Sequence, residues 1–466
     1  MRYISTRGQA PALGFEAATL TGLAADGGLY VPEAWPTLPR EAIEGLAGLS
    51  YAETATRILA PFIGDALGPE ELRALTEAAY GRFDHAAVTP LVQLDQRHWL
   101  LELFHGPTLA FKDVALQLLG LLFERFLSGG AQHLTIVGAT SGDTGSAAIE
   151  AVANRAHVDI FMLHPRGRVS EVQRRQMTTV DAANVHNIAI EGDFDQAQAL
   201  VKRMFGDRDF AGRFRLSAVN SINWARLAAQ VVYYFYAAVR LGAPGRAIAF
   251  SVPTGNFGDV FAGYVAKRMG LPVARLIVAT NVNDILHRAL AEGDYSTGAV
   301  TPTAAPSMDI QVSSNFERLL FDLHGRDTAA LADAMRGFEA DRRMRLPQPL
   351  RDAAARDFAS ARIDHEGMVA AMRWAHERAG RVIDPHSAIG LAAARAADLP
   401  ADIPVVTLAT AHPAKFGDAV EQAVGVRPAL PARLAGLMDK PERCATLPAT
   451  FEAVTAWIAE RATPAA

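Results

Sequence analysis

The sequence predicts a parallel α/β fold, and three segments carry that expectation: residues 133–153, 247–268 and 405–424. Each passes from an apolar, strand-like run through a loop of Gly, Ser, Thr, Asn or Asp into a helix-like stretch, the order that builds a parallel sheet with crossover helices. Ligands of such sheets lie beyond the C-terminal strand ends, so all three loops are candidate site loops. At 466 residues the chain is too long for one ordinary core and suits two or three domains.

In chain order, residues 1–86 read as an N-terminal accessory domain, in which turn signals such as GLAADGGLYVP precede helical patterns from Tyr51 to Tyr80. Residues 87–430 hold the α/β region, with a smaller subdomain at about 100–220 and a larger one at about 221–430. In the first repeat of the pattern LTIVGA is a buried strand, TSGDTG the loop and SAAIEAVANR the helix, followed by a strand at VDIFML. The second runs AIAFSV, PTGNFGD, VFAGYVAKRMG and then VARLIVAT. Residues 327–381 are charged, include AMRGFEADRRMRLPQPL, lack strand signals and predict a solvated helical insertion. The tail, 431–466, carries no motif.

Composition narrows the function. A net charge of −5 gives no broad field for nucleic acid or an anionic membrane, so neither partner is expected and any anion must be held by local groups. The single cysteine, Cys444, excludes a disulfide framework and a CxxC metal site, which fits a reducing, cytoplasmic setting. MRYISTRGQA has no apolar leader core, and the run Leu227–Val239, bounded by Arg226 and Arg240, falls short of the ~20 residues a membrane span needs. The 13 histidines form no HExxH pair, no metal site is expected, and no GxSxG elbow occurs. Of 45 basic residues only Lys112, Lys202, Lys267, Lys415 and Lys440 are lysines. Guanidinium cannot act as an amine nucleophile, so a lysine kept in an apolar stretch draws attention.

Lys112 is such a residue: in FHGPTLAFKDVALQLLGLLFERF a Gly-Pro-Thr turn leads into a helix with an apolar face at Val114, Leu118, Leu121 and Leu122. An amine near a helix N-terminus in apolar surroundings has its ammonium form disfavoured and is a better nucleophile toward an aldehyde. Gly255-Asn256-Phe257-Gly258-Asp259 follows a buried strand and opens a helix, so its backbone N–H groups suit a phosphate, or simply a tight turn. Neither GxGxxG nor GxxxxGK[ST] is present, which disfavours a nucleotide. Ser141-Gly142-Asp143-Thr144-Gly145 offers hydroxyls and amides to a carboxylate, and equally suits helix capping. Asn220-Ser221-Ile222-Asn223-Trp224-Ala225-Arg226 gathers amides, a hydroxyl and a guanidinium able to bind a second phosphate, or to cap a helix beside a surface arginine. His105, His386 and His412 stand in loop contexts and also have ordinary structural readings.

Together these segments resemble the threonine synthases of the longer microbial and fungal type, within the fold type II pyridoxal-phosphate enzymes. YISTRG with GLAADGGLYVP resembles the family's N-terminal domain, HGPTLAFKD its cofactor-lysine motif, ATSGDTGSAA its substrate loop, PTGNFGD its phosphate loop and ATAHPAKFGDAV its C-terminal site motif. The likeness runs from about Tyr3 to about Pro428 in unbroken order. It implies a tryptophan synthase β-like fold with two cofactor-cleft domains behind the N-terminal one. It further implies that pyridoxal 5'-phosphate is joined to Lys112, which then moves protons as general base and acid. Gly255, Asn256, Phe257, Gly258 and Asp259 would hold its phosphate, and Thr410 would face its pyridine nitrogen. Ser141, Gly142, Asp143 and Thr144 would bind the substrate carboxylate and the cofactor's O3′ edge. Asn220, Ser221 and Arg226, with Lys415, would contact the substrate's phosphate. The implied reaction turns O-phospho-L-homoserine and water into L-threonine and phosphate, in a monomer or homodimer. The alternatives are a phospholyase of the same fold that releases 2-oxobutyrate and a catalytically silent homologue.

Overall fold

The computed structural model describes residues 1–129 and 133–464; the last two residues of the expected tail lie outside them. Two parallel sheets form the frame. The smaller has the order Ala445–Pro448, Val185–Glu191, Val158–Pro165, Leu134–Ala139, Leu216–Ser217, with every neighbouring pair parallel. The larger has the order Phe358–Arg362, Val273–Thr280, Ile248–Pro253, Val405–Ala409, His98–Glu102, Leu91–Gln93, and only its last pair is antiparallel. The strands read from LTIVGA, VDIFML, AIAFSV and VARLIVAT all form, each buried along most of its length. Such near-continuous burial is what helices on both faces of a parallel sheet impose.

The helix Trp224–Arg240 is the axis of the molecule, buried from Trp224 to Val239. Each fully buried Leu, Val or Phe on it is worth roughly 1.5–3 kcal/mol, which accounts for the long apolar run without a membrane. Among the described residues no helix is long and apolar enough to cross one. Against this helix pack Tyr51–Ile63 and Lys112–Leu127. The first of these opens with a capping box, in which the Ser50 hydroxyl accepts from the Glu53 N–H and the Glu53 carboxylate accepts from the Ser50 N–H. The N-terminal strands Tyr3–Ser5 and Tyr30–Pro32 pair antiparallel. Tyr3 donates to the Phe62 carbonyl at 2.6 Å, and its ring and those of Trp35 and Phe62 lie against Trp224. One core cluster therefore runs from Tyr3 through Phe62, Leu118 and Tyr234 to Leu408.

The helix Lys112–Leu127 lies unusually close to Asp143–Val152, because a Cβ at Gly120 would stand 2.2 Å from the Ala151 carbonyl oxygen. Only glycine permits that approach, and it draws together the helix starts that carry Lys112 and Asp143.

Two expectations are corrected. The segment 327–381 is not wholly helical: Arg343–Arg345 pairs with Asp294–Ser296, and Phe358–Arg362 is one edge strand of the larger sheet. Only Phe358 of it is buried and the rest is half-buried or exposed without alternation, so its sequence carries little strand signal. The tail, read only as a stretch without a motif, is built into the fold, since Ala445–Pro448 is an edge strand of the smaller sheet and Val454 and Ile458 of the final helix have no exposed surface. Finally, His98–Glu102 belongs to the larger sheet although it lies at the start of the span expected for the smaller subdomain.

Candidate active site

The loops expected to carry chemistry begin where the strands Leu134–Ala139, Ile248–Pro253 and Val405–Ala409 end. Lys112 is the first residue of its helix and is buried at 7% exposure. Its position is set across the chain: Phe111 N–H donates to the Thr410 carbonyl at 2.8 Å, and Ala110 bridges Ala411. Thr410, itself buried, thus stands beside the lysine in the fold although about 300 residues separate them in sequence. The turn before Lys112 is tied by Asp113, whose carboxylate accepts from the Thr108 N–H at 2.8 Å and the Thr108 hydroxyl at 2.7 Å. Burial pushes the Asp113 carboxyl up to about 6, against those two hydrogen bonds.

Asp143 is the hub. Its Oδ1 accepts from Gln173 Nε2 at 2.8 Å and pairs with Lys415 Nζ at 2.8 Å; its Oδ2 accepts from the Ser307 hydroxyl at 3.3 Å and lies 3.5 Å from Lys112 Nζ. Burial alone would raise this carboxyl, but the ammonium groups of Lys415 and Lys112 hold it well below the usual carboxylate range. Burial conversely pushes the Lys112 amine below the ordinary lysine value; Asp143 opposes this, and Arg226 and Lys415 add to it. Around Asp143, Gly142 is buried against the Gln173 carboxamide, and Ser141 and Thr144 are partly exposed at the helix mouth. The Thr140 hydroxyl ties this loop by accepting from the Gly142 and Gly145 N–H groups, both at 2.9 Å.

The loop Gly255–Asp259 lies against the segment 306–315. A Cβ at Gly255 would stand 2.7 Å from the Ser307 carbonyl oxygen and 2.9 Å from Met308 Cα, so the wall there is bare backbone. Asn256 Oδ1 accepts from the Asn315 N–H at 3.2 Å, and the Phe257 N–H is taken by the Ser313 hydroxyl at 2.8 Å. The Phe257 ring is core. The Asp259 carboxylate turns toward the axial helix, accepting from the Tyr233 and Tyr234 hydroxyls, and burial pushes it up to about 6. A Cβ at Gly258 would reach Ser221 Cβ at 3.4 Å, so the two sequence segments expected to bind anions meet. Asn220 is exposed, its side-chain oxygen accepting from the Ile222 N–H at 3.2 Å. Arg226 is buried at 3% exposure; one Nη donates to the Val219 carbonyl at 3.0 Å, Nε is buried without a partner, and burial pushes the guanidinium down to about 10.

These residues fit a group bearing an aldehyde and a phosphate. A backbone wall at Gly255, a glycine at 258 packed close to Asn315 and Ser221, a desolvated amine at Lys112 and a buried guanidinium without an ion pair among the described residues are the complement of such a group. Among the described residues no cluster of His, Cys, Asp or Glu is arranged to hold a metal ion. The structure brings together Lys112, Asp143, Lys415, Gly255–Asp259, Ser221, Arg226 and Thr410. Sequence reasoning did not single out Asp113, Gln173, Ser307 or the stretch Ser313–Asn315, because they sit in loops and a helix with no strand-to-helix glycine signal. Of these only Asp113 had a signal that could have found it, its place beside Lys112.

Comparison with known proteins agrees across the length of the chain. Residues 2–80 match the family model for the threonine synthase N terminus, 83–346 that for pyridoxal-phosphate dependent enzymes and 387–458 that for the threonine synthase C-terminal region. The threonine synthase of Pseudomonas aeruginosa is 53% identical, with 99% of this chain and 98% of that one aligned. The solved structure of threonine synthase from Brucella melitensis with pyridoxal phosphate bound superposes with a TM-score of 0.96 at 52% identity, covering 99% of each chain. The yeast threonine synthase structure gives 0.93 at 38% identity, covering 98% of each.

Proposed function

The chain belongs to the threonine synthase family of pyridoxal-phosphate-dependent enzymes, and from that premise we propose how its own residues convert O-phospho-L-homoserine and water into L-threonine and phosphate. The observation that carries the reading is the buried Lys112 amine, facing the Asp143 carboxylate and the buried guanidinium of Arg226 within one site. Lys112 would hold the cofactor through Nζ and, once free, would take protons from the substrate's Cα and Cβ and return one at Cγ and, after water has added at Cβ, one at Cα. Bound pyridoxal phosphate supplies the electron sink for these proton losses and for departure of the γ-phosphate. The amides of Gly255, Asn256 and Asp259 would hold the cofactor's phosphate, joined by that of Gly258 once it leaves the Asn256 carbonyl it meets at 2.7 Å; Phe257 serves chiefly as the core anchor of that loop. Thr410 would face the pyridine nitrogen. Asp143 would lie at the O3′ edge, with Ser141, Gly142 and Thr144 on the substrate carboxylate. Arg226, with Ser221 and Asn220, holds the leaving phosphate close to Cβ, where it can take the proton of the attacking water. We place the enzyme in the cytoplasm, as a monomer or homodimer.

The test is incubation of the holoenzyme with O-phospho-L-homoserine while threonine, 2-oxobutyrate and phosphate are measured together. Equal release of threonine and phosphate is expected; phosphate matched by 2-oxobutyrate would make the protein a phospholyase. Borohydride reduction and peptide mapping should place the cofactor on Lys112, and Lys112→Ala should bind cofactor weakly with no turnover.

A further inference from the structure

Lys415 is the one lysine of the site whose resemblance-based role and whose surroundings part company. Its side chain has no exposed surface, and its ammonium donates to the Thr108 carbonyl at 2.7 Å and pairs with Asp143 Oδ1 at 2.8 Å. Thr108 is itself clamped by Asp113, and Asp143 by Gln173 and Ser307. The opposite oxygen of Asp143 faces Lys112 at 3.5 Å. Two amines therefore share one carboxylate, an oxygen each, and Lys415 is the one already held at both sides.

We propose that Lys415 is a positioning residue that fixes the ionised Asp143 carboxylate against Lys112 and thereby sets how firmly the Lys112 nitrogen holds its proton; it does not grip the substrate's phosphate. The proposal rests on Lys112 being the cofactor-bearing amine. The charged groups facing Lys112 are Asp143, Arg226 and Lys415, with Asp259 beyond them, and Asp113 faces Lys415. Removing Lys415 takes away a repelling cation and leaves Asp143 to Lys112 alone, so the nitrogen should keep its proton to higher pH.

The experiment is a pH titration of the holoenzyme's visible absorbance, which reads protonation at the Lys112 nitrogen, paired with inorganic phosphate binding and steady-state kinetics. Lys415→Met is expected to move the titration midpoint upward, lower kcat more than it changes KM, and leave phosphate affinity as in the parent. Lys415→Arg should bring the midpoint back toward the parent. In an Asp143→Asn background, adding Lys415→Met should move the midpoint much less, by the direct repulsion alone. That double variant removes both buried charges at once, so it provides the comparison if the single variant fails to fold. An unmoved midpoint with a roughly tenfold loss of phosphate affinity would assign Lys415 to the substrate and overturn the proposal. An equal shift with and without Asp143 would overturn it too, by making Lys415 act directly. Borohydride labelling of any lysine other than Lys112 would instead remove the underlying reading, whatever the titrations show.

Discussion

Arg226 shows what a residue can and cannot announce by itself. In sequence it is an arginine two positions into a helix, the usual place for a solvated charge; in the fold it is buried with an unpartnered Nε and a depressed pKa. Only the junction with Gly258 reveals that it faces a site, and that junction spans elements the chain order keeps apart. Arg226→Ala should weaken O-phospho-L-homoserine binding by about tenfold or more, the loss of a charge-assisted hydrogen bond of roughly 1.5–3 kcal/mol. The holoenzyme spectrum should stay at the parent's, and substrate titration of both proteins checks it. Asp259 is the opposite case, a residue read as part of a phosphate loop whose carboxylate turns away to Tyr233 and Tyr234. Its folded value of about 6 lies above the unfolded 3.8. The folded state thus binds the extra proton, and the stability this group lends below pH 4 is lost as pH rises through 6. Asp259→Asn should gain stability relative to the parent across that window, by up to about 3 kcal/mol for a rise of about two units. Denaturant unfolding of both proteins at pH 4, 5, 6 and 7 measures the gain, and a constant difference would refute the assignment.

At the scale of elements, the strands that were legible are the long apolar ones, LTIVGA, VDIFML, AIAFSV and VARLIVAT, because burial on both faces writes itself as an uninterrupted run. Two of the edge strands were not. Phe358–Arg362 and Ala445–Pro448 are short, pair on one side only and are mostly half-exposed, so their sequences need no apolar run. The tail shows how much such a reading misses. After Ala445–Pro448 the helix Phe451–Ala459 sets Val454 and Ile458 into a core with Phe161, Leu163 and Met204. Just before it, Glu442 pairs with Arg174 and Arg175 and accepts from the Thr178 hydroxyl at 2.7 Å, on the helix whose Gln173 holds Asp143. Ile458→Ala should therefore cost about 2–5 kcal/mol, the range for deleting a fully buried aliphatic side chain. A loosely attached tail would give a loss near zero in the same denaturant titration.

Over the whole molecule, the site is legible as a list of loops, while the reason it holds together lies in contacts between distant parts of the chain. Arg318, buried, donates to the Tyr30 carbonyl in the N-terminal strand pair at 3.0 Å and to the Ile222 carbonyl beside the Arg226 helix. Thr6 and Arg7 reach the Glu317 carboxylate at 2.7 and 3.1 Å, and Tyr3, Trp35 and Phe62 enclose Trp224. The N-terminal residues thus complete the core of the helix that carries Arg226, and separating them would expose Trp224 and leave Arg318 buried without its acceptors. From this we expect the holoenzyme to unfold in one calorimetric transition, with the N-terminal part melting together with the two sheets. Because the proposed site draws on groups from both sheets, pyridoxal phosphate should raise the midpoint of that single transition, and a hundredfold excess over its dissociation constant corresponds to about 2.7 kcal/mol. Pyridoxal without its phosphate should raise it less, since it leaves the proposed phosphate contacts of the Gly255–Asp259 loop unmade. A first transition insensitive to pyridoxal phosphate, with a sensitive one above it, would mean that the N-terminal part folds as a separate unit and that its contacts to Trp224 and Arg318 contribute little to holding the site.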